Sequence, residues 1–289
     1  MVRSVLNVGA TLGEGPVWIG TPDAGALWFV DIKAHRVYRF DPKTGASRHW
    51  QAPDQVGWVL PAEGGGMIVG VKTGLHRFDP ETGRFTLLHD PEPTMPNNRL
   101  NDAATDSKGR LWFGSMDDSE GKATGRLYRC TGGVCLDTGL PPVSITNGPA
   151  ISADARTLYH TDTGGRTIWR VPVDPDGTVL KPEVFVTIED GAGYPDGSVC
   201  DAEDHVWVGL YGGHGVRRYD PAGKLVHSIK LPVANVTKMA FGGPGLRTAY
   251  ATTARQGLDA AALKEQPLAG NLFTFDPGVA GVPATPAKI

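Results

Sequence analysis

Short apolar runs recur along the chain at nearly even spacing. They begin at residues 27, 67, 111, 158, 206 and 249 and read LWFV, MIVG, LWFG, LYHT, VWVG and AYAT, so they lie 40 to 48 residues apart. Each is followed by a second stretch rich in β-branched and aromatic residues that often ends in Asp-Pro and Gly. Proline cannot donate to a ladder and glycine allows positive φ, so these ends are typical of tight turns between strands.

Short strands separated by turns, with a period of about 45 residues, are typical of four-stranded propeller blades. Six such signals predict an all-β, six-bladed β-propeller, a single domain over residues 1–289. We expect the alternating segment 2–9 to pair with LFTF (272–275) in the last blade, because ring closure removes exposed sheet edges. Only residues 259–266 have helical character.

Composition narrows the function classes. The chain has 28 Lys and Arg against 31 Asp and Glu, with a net charge of −3 and no basic cluster, so no nucleic-acid partner is expected. No apolar stretch approaches the roughly 18 residues of a membrane span. The N-terminus lacks the apolar segment of a secretory signal. We therefore expect a cytoplasmic protein with neither nucleic-acid nor membrane partners.

The three cysteines leave an alternative open. Cys130 and Cys135 flank a hairpin and could form a cross-strand disulfide. Free buried thiols are the default expectation for so few cysteines, and they agree with a reducing compartment.

Four polar residues stand at the same place relative to the apolar runs. Asn101 and Asp196 lie 10 residues before Leu111 and Val206, Asn147 lies 11 before Leu158, and Glu14 lies 13 before Leu27. Equivalent positions of a ring meet at its axis, so four oxygen-bearing side chains should converge there. Oxygen ligands suit Ca²⁺, Mg²⁺, Mn²⁺ or Fe²⁺ better than a structural zinc. Each residue alone would be read as a turn former; agreement in phase among four favours a site.

Longer segments resemble one family. LGEGPVW (12–18), NNRLNDAATDSKGRLWFGSM (97–116), SITNGPAIS (144–152) and YPDGSVCDAEDHVWVG (194–209) are similar to the SMP-30/gluconolactonase/regucalcin family and occur in its order. The resemblance implies a six-bladed propeller that binds one divalent metal at the mouth of its channel and hydrolyses sugar lactones. It implies metal ligands at Glu14, Asn147 and Asp196, and substrate contacts at Arg99 and Asn101.

The resemblance also implies finer features. The loop 117–124 falls where the family has a mobile lid, and Glu120 is the match for its substrate-contacting Glu. The chemistry of the residues themselves adds that Asp196 could both bind the metal and accept a proton from the attacking water, and that Asn101 could hydrogen-bond either the substrate or a metal-bound water. Similarity to bacterial xylonolactonases points to a pentonolactone substrate and to iron(II), with Ca²⁺, Mn²⁺ and Zn²⁺ as other family metals. Family members are commonly monomers.

Other functions stay open at this point. One is a gluconolactonase, and another is a hydrolase of phosphotriesters or aryl esters on the same scaffold. A third is a metal-binding regulator without enzymatic activity, since a fold does not by itself define a function.

Overall fold

The computed structural model describes residues 1–21 and 23–289. Within these ranges, twenty-four strands form six antiparallel sheets of four strands. In chain order they are β1 (Arg3–Leu6) in the last sheet; β2 (Gly13–Thr21), β3 (Ala24–Asp31), β4 (Arg36–Phe40) and β5 (Ser47–Gln51) in blade 1; β6 (Val56–Pro61), β7 (Met67–Val71), β8 (Gly74–Asp79) and β9 (Arg84–His89) in blade 2; and β10 (Asn98–Thr105), β11 (Leu111–Asp117), β12 (Leu127–Thr131) and β13 (Val134–Asp137) in blade 3.

The remaining blades continue the same order. Blade 4 contains β14 (Thr146–Ile151), β15 (Thr157–Asp162), β16 (Thr167–Pro172) and β17 (Glu183–Thr187); blade 5 contains β18 (Tyr194–Cys200), β19 (Val206–Tyr211), β20 (Gly215–Tyr219) and β21 (Leu225–Lys230); blade 6 contains β22 (Val236–Gly242), β23 (Thr248–Thr253) and β24 (Leu272–Phe275). The helix α1 (Ala260–Glu265) falls within the segment predicted to be helical, and a 3₁₀ turn spans Pro244–Leu246.

The innermost strands form the wall of the channel. Strands β2, β6, β10, β14, β18 and β22 contact one another in that order, and β22 contacts β2 to close the ring. The prediction of a six-bladed β-propeller is confirmed. In blade 6, β1 pairs antiparallel with β24, with Arg3 opposite Thr274 and Leu6 opposite Leu272.

The core lies between neighbouring blades. One buried cluster combines Trp28 of blade 1, Trp58 and Phe78 of blade 2 and Phe113 of blade 3. Burial of large aromatic side chains is the main stabilising contribution in such a layer. Each blade therefore depends on its neighbours, and the ring holds the starts of the inner strands in fixed positions.

The C-terminal segment, residues 281–287, crosses the ring at the end of the channel where the inner strands finish. Gly281 bridges to Asp201 of blade 5, Thr285 accepts a hydrogen bond from Thr105 of blade 3, and Ala287 bridges to Ala62 beside blade 2. This segment and the later residues of the inner strands line a cavity separate from the one described below.

The cysteine expectation is wrong for one pair. Strands β12 and β13 pair in a register that puts Cys130 directly opposite Cys135, with Cα atoms 4.1 Å apart, and a disulfide joins them. Cys200 is a buried free thiol. Across the described residues, which omit position 22, none of the helices has the length and apolar character needed to cross a membrane.

Candidate active site

The inner strands are irregular near their starts. Register shifts occur between Glu14 and Val17 in β2, between Leu100 and Ala103 in β10, between Asn147 and Ala150 in β14, and between Pro195 and Ser198 in β18. A β-bulge turns a side chain away from its regular direction along the strand and is common beside functional sites. The four polar residues found from the repeat lie at or beside these bulges.

The six residues assigned to the site from the sequence all line one cavity of about 250 Å³: Glu14, Arg99, Asn101, Glu120, Asn147 and Asp196. Four of them, Glu14, Asn101, Asn147 and Asp196, are 3–6% exposed. The rest of the lining combines apolar side chains with hydroxyl, ring and amide groups: Leu12, Met116, Ile145, Thr163, Tyr194, Tyr211 and Gln256. The structure therefore brings together residues that are up to 182 positions apart in the chain, Glu14 and Asp196 being the extremes.

A chain of hydrogen bonds runs along one side of the cavity. Arg99 Nη1 donates to Asn101 Oδ1 at 2.6 Å. Asn101 Nδ2 donates to Asn147 Oδ1 at 3.0 Å, and Asn147 Nδ2 donates to Thr163 Oγ1 at 2.9 Å. These bonds fix both amide orientations. An amide oxygen has two lone pairs, so Asn147 Oδ1 retains one for another partner.

The two carboxylates have few partners. Glu14 Oε2 accepts from the Gly15 N–H at 2.8 Å, and within residues 1–21 and 23–289 Asp196 accepts no hydrogen bond from the protein. Burial and then the charge of Asp102 raise the pKa of Glu14 to about 8. Burial, followed by the charges of Glu14 and Asp102, raises the pKa of Asp196 well above its ordinary value. Ionised carboxylates in such surroundings are costly unless a cation accompanies them.

The donor set fits a hard divalent cation. Two carboxylates and one amide supply only oxygen, which Ca²⁺, Mg²⁺, Mn²⁺ and Fe²⁺ accept. A cation at this point would offset the cost of burying Glu14 and Asp196. In the described chain, no three His, Cys, Asp or Glu side chains are placed to share an ion. The candidate set combines two such side chains with an asparagine amide, so this absence does not bear on it. The assignment of Glu14, Asn147 and Asp196 as ligands stays a prediction.

An ion pair that sequence reasoning missed lies one residue further along the strands. The position after the axial residue is glycine in four blades, Gly15, Gly57, Gly148 and Gly197, but Asp102 in blade 3 and Lys238 in blade 6. These two blades face each other across the ring, and Lys238 Nζ lies 2.7 and 2.8 Å from the two oxygens of Asp102. A Cβ on Gly197 would stand 2.6 Å from the Lys238 side chain, so glycine leaves room for it.

The signal for this pair was present in the repeat. Asp102 lies 9 residues before Leu111 and Lys238 lies 11 before Ala249, close to the spacing of 10 to 13 residues that identified the axial positions. Both are buried, at 1% and 6% exposed. Lys238 lowers the pKa values of Glu14 and Asp196, although burial has the larger, opposite effect on both.

Comparison with known proteins identifies the family. A model of the SMP-30/Gluconolactonase/LRE-like region matches residues 12–255. The chain belongs to the SMP-30/gluconolactonase family. The resemblance seen in the sequence motifs is thereby confirmed, and the matched range includes the six candidate residues.

Several relatives in the SMP-30/gluconolactonase family are similar over nearly their whole length. A 6-deoxy-6-sulfogluconolactonase of Pseudomonas putida is 31% identical over 97% of this chain and 96% of its own. A pentonolactonase of Haloferax volcanii is 33% identical over 98% and 96% of the two chains. Among solved structures, a calcium-binding protein, regucalcin, from Agrobacterium tumefaciens superposes with a TM-score of 0.93 at 29% identity, covering 100% of this chain and 97% of that one.

Proposed function

We propose that this protein hydrolyses a sugar lactone to the aldonic acid with one divalent metal ion, and that the substrate is a pentonolactone such as xylonolactone. The observation that carries the proposal is the convergence of Glu14, Asn147 and Asp196 with Arg99 and Asn101 on one cavity. Relatives that match nearly the whole chain are named lactonases, including one that acts on pentonolactones.

The cavity suits a small hydroxylated ring. Its volume of about 250 Å³ is close to the lower end of small-molecule sites. Arg99 is a planar donor that pairs well with hydroxyls and with the carboxylate that forms when the ring opens. The rings of Tyr194 and Tyr211 supply flat apolar faces beside these polar groups. An aryl ester or phosphotriester would make little use of Arg99.

The proposed chemistry divides between the metal and the protein. When bound, a divalent ion would polarise the lactone carbonyl and make water a better nucleophile. Asp196 lines the cavity and accepts no hydrogen bond from the described chain, so its oxygens are available to accept a proton from the attacking water. Arg99 would bind the substrate. Asn101 is bonded both to Arg99 and to Asn147, so it couples the substrate contact to the candidate metal ligand.

Three finer points belong to the same proposal. We propose iron(II) as the native metal, in line with the resemblance to bacterial xylonolactonases. The regucalcin structure is described as calcium-binding, so calcium is the competing ion. We also propose that the protein acts as a monomer in the cytoplasm; sedimentation and fractionation of the source cells would check these two points.

The test is hydrolysis of a panel of pentono- and hexonolactones followed in a pH-stat. Chelation should abolish turnover, and readdition of single metals should restore it, most with Fe²⁺ and on a pentonolactone. Asp196→Ala should lower kcat by at least about 10³-fold while circular dichroism stays unchanged. Asp220→Ala, in an exposed turn of the same blade, should retain full activity. Wild-type turnover in Asp196→Ala, or full activity in chelator, would contradict the proposal.

A further inference from the structure

Asp118 begins the connection between β11 and β12, and four nitrogen atoms from three blades surround its carboxylate. Lys33 Nζ lies 2.8 Å from Oδ1, while Lys72 Nζ and Gln55 Nε2 lie 2.8 and 2.7 Å from Oδ2. Arg99 Nε lies 3.2 Å from Oδ1. One side chain therefore joins the β3–β4 turn of blade 1, the connection from blade 1 to blade 2, the β7–β8 turn of blade 2, and the inner strand of blade 3.

This cluster contains more positive than negative charge. Two lysines and Arg99 share one carboxylate, and the Arg99 side chain is 2% exposed. Burial opposes ionisation of Asp118, but hydrogen bonds from Lys33, Lys72 and Gln55 outweigh it and hold the pKa of Asp118 far below its ordinary range. Without the carboxylate, three cations would repel one another, and buried Arg99 would lose the largest of the carboxylate charges that favour its ionised form, leaving the smaller effects of Glu120 and Glu14.

Arg99 connects the cluster to the cavity. Its Nη1 donates to Asn101 Oδ1 on one side, and its Nε faces Asp118 on the other. Nε is not aligned for a hydrogen bond, so the contact with Asp118 is an ion pair. Together these contacts fix the plane of the guanidinium. Nη2 makes no hydrogen bond within residues 1–21 and 23–289, which leaves it for a substrate oxygen.

The loop that follows Asp118 is a tight unit. Asp117 accepts from Ser119 Oγ at 2.6 Å, from the Gly121 N–H at 3.0 Å and from the Lys122 N–H at 3.1 Å. Glu120 has a left-handed backbone, with φ of 60°, and lines the cavity. Because these bonds tie the loop together, anchoring Asp118 also anchors Glu120.

We propose that Asp118 is a positioning residue that orients Arg99 and holds the loop 117–124 beside the cavity. Asp118 affects the substrate site by orienting Arg99 and by holding Glu120. Lys33, Lys72 and Gln55 affect the site only by fixing Asp118. The effect on turnover rests on the proposed function, whereas the effect on the loop does not.

The test is Asp118→Asn, which keeps the shape of the side chain and removes its charge. KM for the lactone should rise about tenfold while kcat changes by less than about threefold, because substrate binding by Arg99 is weakened. Hydrogen exchange of residues 118–124 should rise about tenfold, with no change in β10 and β11. Raising NaCl from about 0.05 to about 0.5 M should loosen the loop of the wild type but not of the variant.

Two variants serve as controls. Asp137→Asn removes an exposed ion pair with Arg126 in the same blade and should leave both readouts unchanged. Asp118→Glu keeps the charge and should recover most of the loop protection. Unchanged KM and exchange in Asp118→Asn would overturn the proposal. So would a fall in melting temperature with exchange raised throughout blade 3, which indicates a purely structural role. If the wild type opens no lactone, the proposed function fails, and the exchange data still decide whether Asp118 holds the loop.

Discussion

The axis and the rim of the ring are built from the same repeated unit but have opposite character. At the axis, Glu14, Asp102, Asp196 and Lys238 are 1–6% exposed. At the rim, the outermost strands β9, β13 and β21 are mostly exposed and carry few buried side chains. The axis therefore concentrates charge away from water, while these three outer strands are ordinary solvated strands.

The difference shows where the repeat is constrained. An outer strand needs only strand propensity and turn residues, so many sequences would serve. The charge at an axial position depends on side chains of other blades that are remote in sequence; Lys238 of blade 6 and Arg99 of blade 3, for example, both lower the pKa of Glu14 in blade 1. Substitutions at the axis should therefore act through electrostatics and be large, and those at the rim should be small and local.

The largest effect should come from Lys238→Met. It leaves Asp102 buried without its cation, close enough to Glu14 and Asp196 to raise the pKa of both. Breaking a buried pair from one side costs about 3–5 kcal/mol. Denaturant unfolding of metal-free protein should show a loss of this size.

The double variant Lys238→Met with Asp102→Asn is the matched control. Removing both charges should recover stability to within about 1 kcal/mol of the wild type. Equal destabilisation in the single and the double variant would mean that packing, rather than the unpaired charge, is responsible.

The sequence predicts the axis better than it predicts what surrounds it. Glu14, Asn101, Asn147 and Asp196 are found because the repeat phase marks them. The repeat also contains Asp102 and Lys238, but their pairing depends on the reach of the Lys238 side chain across the ring from blade 6 to blade 3, which spacing along the chain does not give.

Other features depend on contacts that spacing does not encode. The three donors to Asp118 come from turns and connections whose side-chain directions are set by the packed blades, and Arg99, which forms the ion pair, comes from the inner strand β10. The disulfide depends on register: a shift of one residue in the β12–β13 pairing would separate Cys130 from Cys135.

The next largest effect should be a loss of stability of metal-free protein as pH rises from 5 to 8. Burial raises the pKa of Glu14 from 4.5 to about 8, so in this window the native state keeps a proton that the unfolded chain releases. Stability therefore decreases as pH rises through the window, by on the order of 2 kcal/mol, with Glu14 and Asp196 titrating together. Denaturant unfolding in chelator at several pH values measures it.

Glu14→Gln provides the comparison for this pH dependence. The variant should show a flatter profile, and adding a divalent cation to the wild type should restore stability at pH 8, because a bound cation favours the ionised carboxylates. Identical profiles for the wild type and Glu14→Gln would show that the axial carboxylate does not cause the change.

The smallest effect should come from the outer hairpin of blade 3, on replacing Cys130, which is buried in β12, and Cys135 of the rim strand β13 together by serine. The bridge spans a sequence separation of 5, and closing so short a loop stabilises the fold by about 2 kcal/mol at most. Melting should fall by no more than about 5 °C, and lactone hydrolysis should be unchanged because neither cysteine lines the cavity. Wild type in reductant should melt like the double variant, which separates loss of the bridge from an effect of the serines. A marked fall in hydrolysis without a change in melting would instead show that the outer hairpin communicates with the axis, and the division between axis and rim would be wrong.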